Sequence, residues 1–251
     1  MSRLLTSTFL HIPGITGGIE RSLWRQGATT WDEFQAQPDK YHLDGVDTKR
    51  VLRALDSSWK RLQSQDFRYF RRKMPMAEHW RVFPEFSQKL TYLDIETDGG
   101  SSGDSITMVG VFDGKEYRSF VKGCNLEDFP GYIENYGVIV TFFGSGFDVP
   151  MLSRKFPWIR FDMFHIDLCP TMRRLGLRGG LKKIERQLGI SRSVDTQGLS
   201  GRDAIFLWNR YVAGDEDALD RLIKYNEEDV VNLEKLMRIA YHNLRSSALG
   251  D

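Results

Sequence analysis

Five side chains in this sequence join reactive chemistry to informative spacing: Asp94 and Glu96, Asp148, and Tyr225 with Asp229. Asp94 and Glu96 stand two apart in the apolar run Leu90-Thr91-Tyr92-Leu93-Asp94-Ile95-Glu96-Thr97, which predicts a strand. Side chains alternate faces along a strand, so both acids point the same way. Paired carboxylates on a buried strand repel each other and lose hydration. Something must compensate: a lysine or arginine, protonation of one acid, or a divalent cation. An oxygen-rich site of this kind suits Mg2+ or Mn2+. Asp148 follows the apolar run 137–143 and the turn Gly144-Ser145-Gly146, at the predicted start of a helix. An acid there is favoured by the helix dipole and its free amides. It also lies beyond the carboxyl end of a strand, where open α/β sheets build their sites. Tyr225 and Asp229 are four apart on a helix predicted over 219–244 and share one face.

The elements that must position these residues can be read from periodicity. Strands are predicted over 90–97, 105–112, 116–122, 137–143 and 164–168, with Asp113-Gly114 as a hairpin turn. Helices are predicted over 126–136, 147–155, 181–188, 202–211 and 219–244. Strands first, then a crossover, then helices indicate an α/β layer fold with a mixed five-stranded sheet flanked by helices. Ahead of it, residues 8–43 read as short helices, with Thr29 or Thr30 capping one of them and Glu33 in its first turn. Residues 46–67 have helical periodicity, and Arg68-Tyr69-Phe70-Arg71-Arg72-Lys73 follows. Interleaved cations and aromatics suit a single strand, but the favoured reading is a solvated face with its rings packed inward. The expected divisions are 1–45 (small helical region), 46–89 (basic, aromatic connector) and 90–251 (main domain).

Bulk properties narrow the class. The chain has 251 residues, 41% hydrophobic and 27% charged, as in ordinary globular proteins. No apolar run is long enough to cross a bilayer, and the start, residues 1–6, lacks the core of a secretory leader. Two cysteines, Cys124 and Cys169, form no framework and no metal-ligand spacing, so a reducing, cytoplasmic setting is expected. The net charge of +1 divides into +5 over residues 1–90 and −4 over the remainder, where the acids lie.

In combination, Asp-x-Glu on a strand, Asp at a strand-to-helix turn and Tyr-x-x-x-Asp on a late helix resemble the DEDD 3′→5′ exonuclease superfamily, in its tyrosine subgroup. Leu93-Asp94-Ile95-Glu96-Thr97, Phe147-Asp148-Val149-Pro150-Met151-Leu152, His165-Ile166-Asp167-Leu168, Gly180-Leu181-Lys182-Lys183-Ile184-Glu185 and Tyr225-Asn226-Glu227-Glu228-Asp229 look like the bacterial YprB-like ribonuclease H-like domain. The resemblance covers about residues 90–240. It implies a ribonuclease H-like fold and a two-cation hydrolase releasing nucleoside 5′-monophosphates from single-stranded DNA or RNA 3′ ends. Asp94, Glu96 and Asp229 would hold one cation. Asp94 would also touch the other, with Asp148 holding it directly or through water, and Tyr225 would orient the attacking water. Related sequences tend to carry Asn-Gly before Phe-Asp. Phe143-Gly144 stands here instead, which bears on substrate handling.

Gly144 and Phe147, beside Asp148, are candidate nucleic-acid contacts. So are Arg178 and Lys182 near the Gly179-Gly180 helix start, where amides and cations suit a phosphate and surface solvation is the competing reading. Pro13-Gly14-Ile15-Thr16-Gly17-Gly18 resembles a helix-hairpin-helix turn. The amides around Gly14 and Gly17 would then grip DNA phosphates; a merely packed turn is the alternative. Asp167 is expected to cap the following helix, and His165 to be packed or hydrogen-bonded. The rival functions are a catalytically silent nucleic-acid-binding module and a structure-specific endonuclease of the ribonuclease H-like group.

Overall fold

The computed structural model describes residues 4–250; residues 1–3, on which part of the leader reading falls, and residue 251 lie outside it. The chain forms two units. The first comprises residues 1–88, 162–164 and 241–251, the second residues 89–161 and 165–240.

The first unit opens with helices α1 (Gly17–Arg25), α2 (Trp31–Ala36), α3 (Thr48–Gln63) and α4 (Phe67–Arg71). Thr30 and Glu33 form a reciprocal capping box at α2, as their spacing predicts. The core is aromatic. The Trp31 ring lies 5.2 Å from Trp59 and 6.2 Å from Phe70, so residues on both sides of position 45 share it. Phe67 and Phe70 turn inward while Arg68, Arg72 and Lys73 remain exposed, as expected for a solvated face. A buried network fixes α1: Glu20 accepts from Thr8 Oγ1 (2.6 Å), the Phe9 N–H (2.7 Å) and Arg81 Nη1 (2.8 Å). Among the described residues, a short 3-10 turn, Leu5–Ser7, and irregular chain precede the turn at 13–18, and α1 follows it. Glu20 and Arg81 tie that stretch down by side chains.

The second unit is built on β1 (Leu90–Thr97), β2 (Ile106–Phe112), β3 (Tyr117–Val121), α5 (Phe129–Ile133), β4 (Val138–Thr141), α6 (Asp148–Lys155) and β5 (Phe164–Asp167, whose first residue is counted with the first unit). Helices α7 (Leu168–Arg174), α8 (Leu181–Gln187), α9 (Gly201–Val212) and α10 (Glu216–Leu249, whose residues from 241 on are counted with the first unit) complete it. The five strands lie in the order β3-β2-β1-β4-β5. β1 pairs antiparallel with β2 and parallel with β4, which makes β1 a central, buried strand. One layer packs Met108 and Val121 against Ala204, Leu207 and Trp208 of α9 and Leu222 and Tyr225 of α10. A second cluster joins Phe120 of β3 to Phe129 (5.7 Å) and Phe129 to Phe156 (5.9 Å). Helix α10 exceeds its predicted span. No helix among the described residues is long and apolar enough to cross a membrane.

Candidate active site

Strand β1 delivers Asp94 and Glu96 to one face, and α10 delivers Asp229 to meet them. One carboxylate oxygen from each lies within 4.8 Å of the others. The inward stripe of α10, Leu222, Tyr225, Asn226, Asp229, Val230 and Leu233, follows the three-and-four spacing of a helix face. That stripe places Tyr225 and Asn226 beside Asp229. Opposite Asp94 on β2 is Gly110. It has to be glycine: a Cβ there would sit 1.6 Å from Asn226 Oδ1. The gap admits the Asn226 amide, which donates to Asp94 Oδ2 (3.1 Å) and Glu96 Oε1 (3.2 Å) while its carbonyl accepts from the Tyr117 hydroxyl (3.0 Å). Tyr117 thereby orients the amide with its N–H groups toward the acids.

Asp148 opens α6, and its Oδ1 accepts from the Ile95 N–H (3.1 Å). It stands outside the three-oxygen cluster but lines the same open cavity, of about 760 Å3, with Asp94, Glu96, Tyr225, Asp229, Phe143 and Phe147. Burial dominates the electrostatics. It drives the Asp94 carboxyl well above its usual range, reinforced by Asp148, Glu96 and Asp229. Glu96 is pushed up to about 8 by burial and then Asp229, and Asp148 to about 7 mainly by burial. Asp229 rises less freely because Arg192 and Lys182 oppose its burial. Carboxylates crowded this closely and kept from solvent form a hard-oxygen donor set in which, among the described residues, only Asp229 has an ion-pair partner, and that chemistry fits a divalent cation.

Two cations of the chain approach the cluster. Lys182 Nζ donates to the Tyr225 hydroxyl and sits 4.0 Å from its ring centroid, so it serves the tyrosine. Arg192 forms an ion pair with Asp229 Oδ1 and clasps Glu185 with two bonds of 2.7 Å. Glu185 is itself held by Asn232 (3.0 Å). Burial, then Asp229 and Glu96, push the Tyr225 hydroxyl far up and keep it protonated.

Of the other candidates, Phe147 lines the cavity and is exposed, whereas Gly144 is buried beneath the turn. A Cβ at Gly144 would meet Thr141 Oγ1 at 2.2 Å, so its role here is close backbone approach. Arg178 is exposed before α8 and does not line the cavity. Gly14 and Gly17 belong to the first unit, Gly14 with φ +96° and Gly17 as the first residue of α1. Asp167 caps α7 through the Cys169 N–H (3.0 Å), as expected. It also accepts from the N–H groups of Phe143 (2.8 Å) and Ser145 (3.0 Å). His165 is hydrogen-bonded to Thr141 at 2.8 Å. Sequence reading gave no role to Asn226, Arg192 or Glu185, and at Phe143 marked only the departure from Asn-Gly. Asn226 was discernible as a polar residue in an apolar stripe; Arg192, on the irregular segment after α8, carried no signal.

A five-stranded mixed sheet with acids on its central strand and a late helix defines a ribonuclease H-like α/β domain. A family model described as the RNase_H superfamily (RNase_H_2) matches residues 91–241, and the chain belongs to that superfamily. A search of curated proteins finds no match. Among solved structures, the family B DNA polymerase from the hyperthermophilic archaeon Pyrobaculum calidifontis is similar over 60% of this chain at 18% identity, with a TM-score of 0.44. The chain spans 23% of that polymerase's length.

Proposed function

We propose that this chain is a metal-dependent 3′→5′ exonuclease that hydrolyses phosphodiester bonds at single-stranded DNA or RNA ends, using two Mg2+ or Mn2+ ions. The supporting observation is the convergence of Asp94, Glu96 and Asp229 within 4.8 Å in a cavity that Asp148 and Tyr225 share. Membership of the RNase H superfamily supports phosphodiester chemistry. In this reading Asp94, Glu96 and Asp229 hold one cation, and Asp94 with Asp148 the other. Cations bound there would supply positive charge to the scissile phosphate and to the attacking and leaving oxygens.

The chain's own groups do the positioning. Asn226 aims both β1 carboxylates. Tyr225 accepts a hydrogen bond from Lys182, so its own proton is free to donate to water or a phosphate oxygen. Held protonated, the tyrosine orients the attacking water and is not its base. Residues 90–251 act as the exonuclease domain, with 1–45 and 46–89 as accessory helical regions.

The test is degradation of 3′-labelled linear DNA and RNA single strands, beside circular ones, with Mn2+ or Mg2+. We expect mononucleotide release from linear strands only, and none by Asp94→Ala with its fold intact. Cleavage of circles would establish an endonuclease instead. Equal activity in Asp94→Ala would remove the site.

A further inference from the structure

We infer that Phe143 is a stacking platform for the base of the strand's terminal nucleotide, a proposal that rests on the nuclease reading above. Phe143 has φ +67°, in the left-handed region. For a bulky side chain that conformation is an outlier, favoured by no local preference, and such outliers persist only where their surroundings enforce them. The surroundings here are explicit. Asp167 Oδ1 accepts from the Phe143 N–H (2.8 Å), and Asp167 Oδ2 from the Ser145 N–H (3.0 Å). The Phe143 carbonyl accepts from the Gly146 N–H (3.0 Å), closing the turn.

This strain secures no place in the core, because Phe143 is 54% exposed. One side of its ring rests on Gly146, where a Cβ would lie 2.7 Å from the ring edge. Phe147, 39% exposed, flanks the same turn, and neither ring meets another aromatic among the described residues. Both rings line the cavity that holds Asp94, Glu96, Asp148, Tyr225 and Asp229. At about 760 Å3 it falls within the roughly 300–1,000 Å3 typical of ligand pockets. A phosphodiester at the acids therefore puts its base in the same cavity as two unpartnered aromatic faces. Stacking on such faces is tolerant of base identity and needs no hydrogen-bond readout. The fold thus holds an aromatic ring out toward the substrate at the cost of local backbone strain.

The experiment uses the full chain with Ca2+ and two single-stranded DNA oligonucleotides, one ending 3′ in 2-aminopurine and one in an abasic nucleotide, with strand integrity checked. Wild type should quench 2-aminopurine fluorescence and bind the base-ended strand at least about fivefold more tightly, the lower end of base–aromatic stacking effects. Phe143→Asn suits the left-handed backbone. It should melt no lower than wild type yet lose that preference, with binding of the abasic strand unchanged. Phe143→Trp should retain it. Equal binding of the two strands by wild type, or a preference kept by Phe143→Asn, would overturn the inference and leave the nuclease reading standing. A lower melting temperature in Phe143→Asn would overturn the strain argument. No binding of either strand by wild type would overturn both inference and reading.

Discussion

Asp94 and Glu96 work against the fold that carries them. A buried carboxyl whose native pKa is raised refuses to ionise where the unfolded chain already has. For Glu96, pushed to about 8 from 4.5, stability is unaffected below about pH 4.5, falls between 4.5 and 8, and stays reduced above. Glu96→Gln removes this penalty and keeps an oxygen for Asn226. In chelator at pH 8 it should unfold at higher urea, by about 1–3 kcal/mol, below the ~1.4 kcal/mol per unit that the full shift implies, because neighbouring acids share protons. The gain should vanish near pH 4, and the variant should lose Mn2+ binding by calorimetry. A variant weaker than wild type at pH 8 in chelator would show that the acid is already compensated. Asp229→Asn should gain less, since Arg192 already answers that carboxylate and would be left buried with Glu185 alone.

At the scale of elements, one carboxylate sets the geometry of the turn between β4 and α6. Asp167 accepts from three backbone N–H groups, at 143, 145 and 169, so Asp167→Ala leaves three donors to find other partners. The expected loss is about 2–4 kcal/mol in urea unfolding, with Asp167→Asn intermediate. Equal stability of Asp167→Ala and wild type would mean that the turn holds itself. Gly110→Ala should cost about 1–3 kcal/mol by forcing Asn226 off the sheet, and should weaken Mn2+ binding as both acids lose their donor. Wild-type Mn2+ affinity in that variant would leave Asn226 as packing alone. The contrast between Asp167 and Gly110 also explains what was legible beforehand. β1 matched its predicted bounds, and capping by Asp167 was expected, because both rest on neighbours within a few residues. The hold on Phe143, the Gly110–Asn226 fit and the Arg192–Asp229 pair join residues tens of positions apart, and spacing within one segment carries no trace of them. The packing around the turn at 13–18 is likewise set at a distance: its glycines match a turn pattern, while Glu20, held by Arg81, fixes the neighbouring chain.

Across the whole molecule, the two units carry opposite responses to acid. In the first, His11 lies against Trp31 (5.2 Å) and Phe70 (5.5 Å), and burial holds its pKa down to about 3. The unfolded chain takes up that proton below about pH 6.5 and the native state refuses it. Stability from His11 is therefore complete above 6.5 and falls by up to ~1.4 kcal/mol per unit on acidification toward 3. In the second unit, Glu96 and its neighbours release their penalty over part of the same range. Between pH 6.5 and 5, without divalent cations, the first unit should loosen while the second tightens. Segment-resolved hydrogen exchange, corrected for intrinsic rates, should show protection falling in α2 and α3 and rising in β1 and α9. Saturating Mn2+ should reverse only the second trend, because cation binding requires the acids deprotonated and so stabilises more as pH rises. His11→Gln should flatten only the first. Protection changing in the same direction in both units, with and without Mn2+, would mean that neither the buried histidine nor the acid cluster controls the pH response.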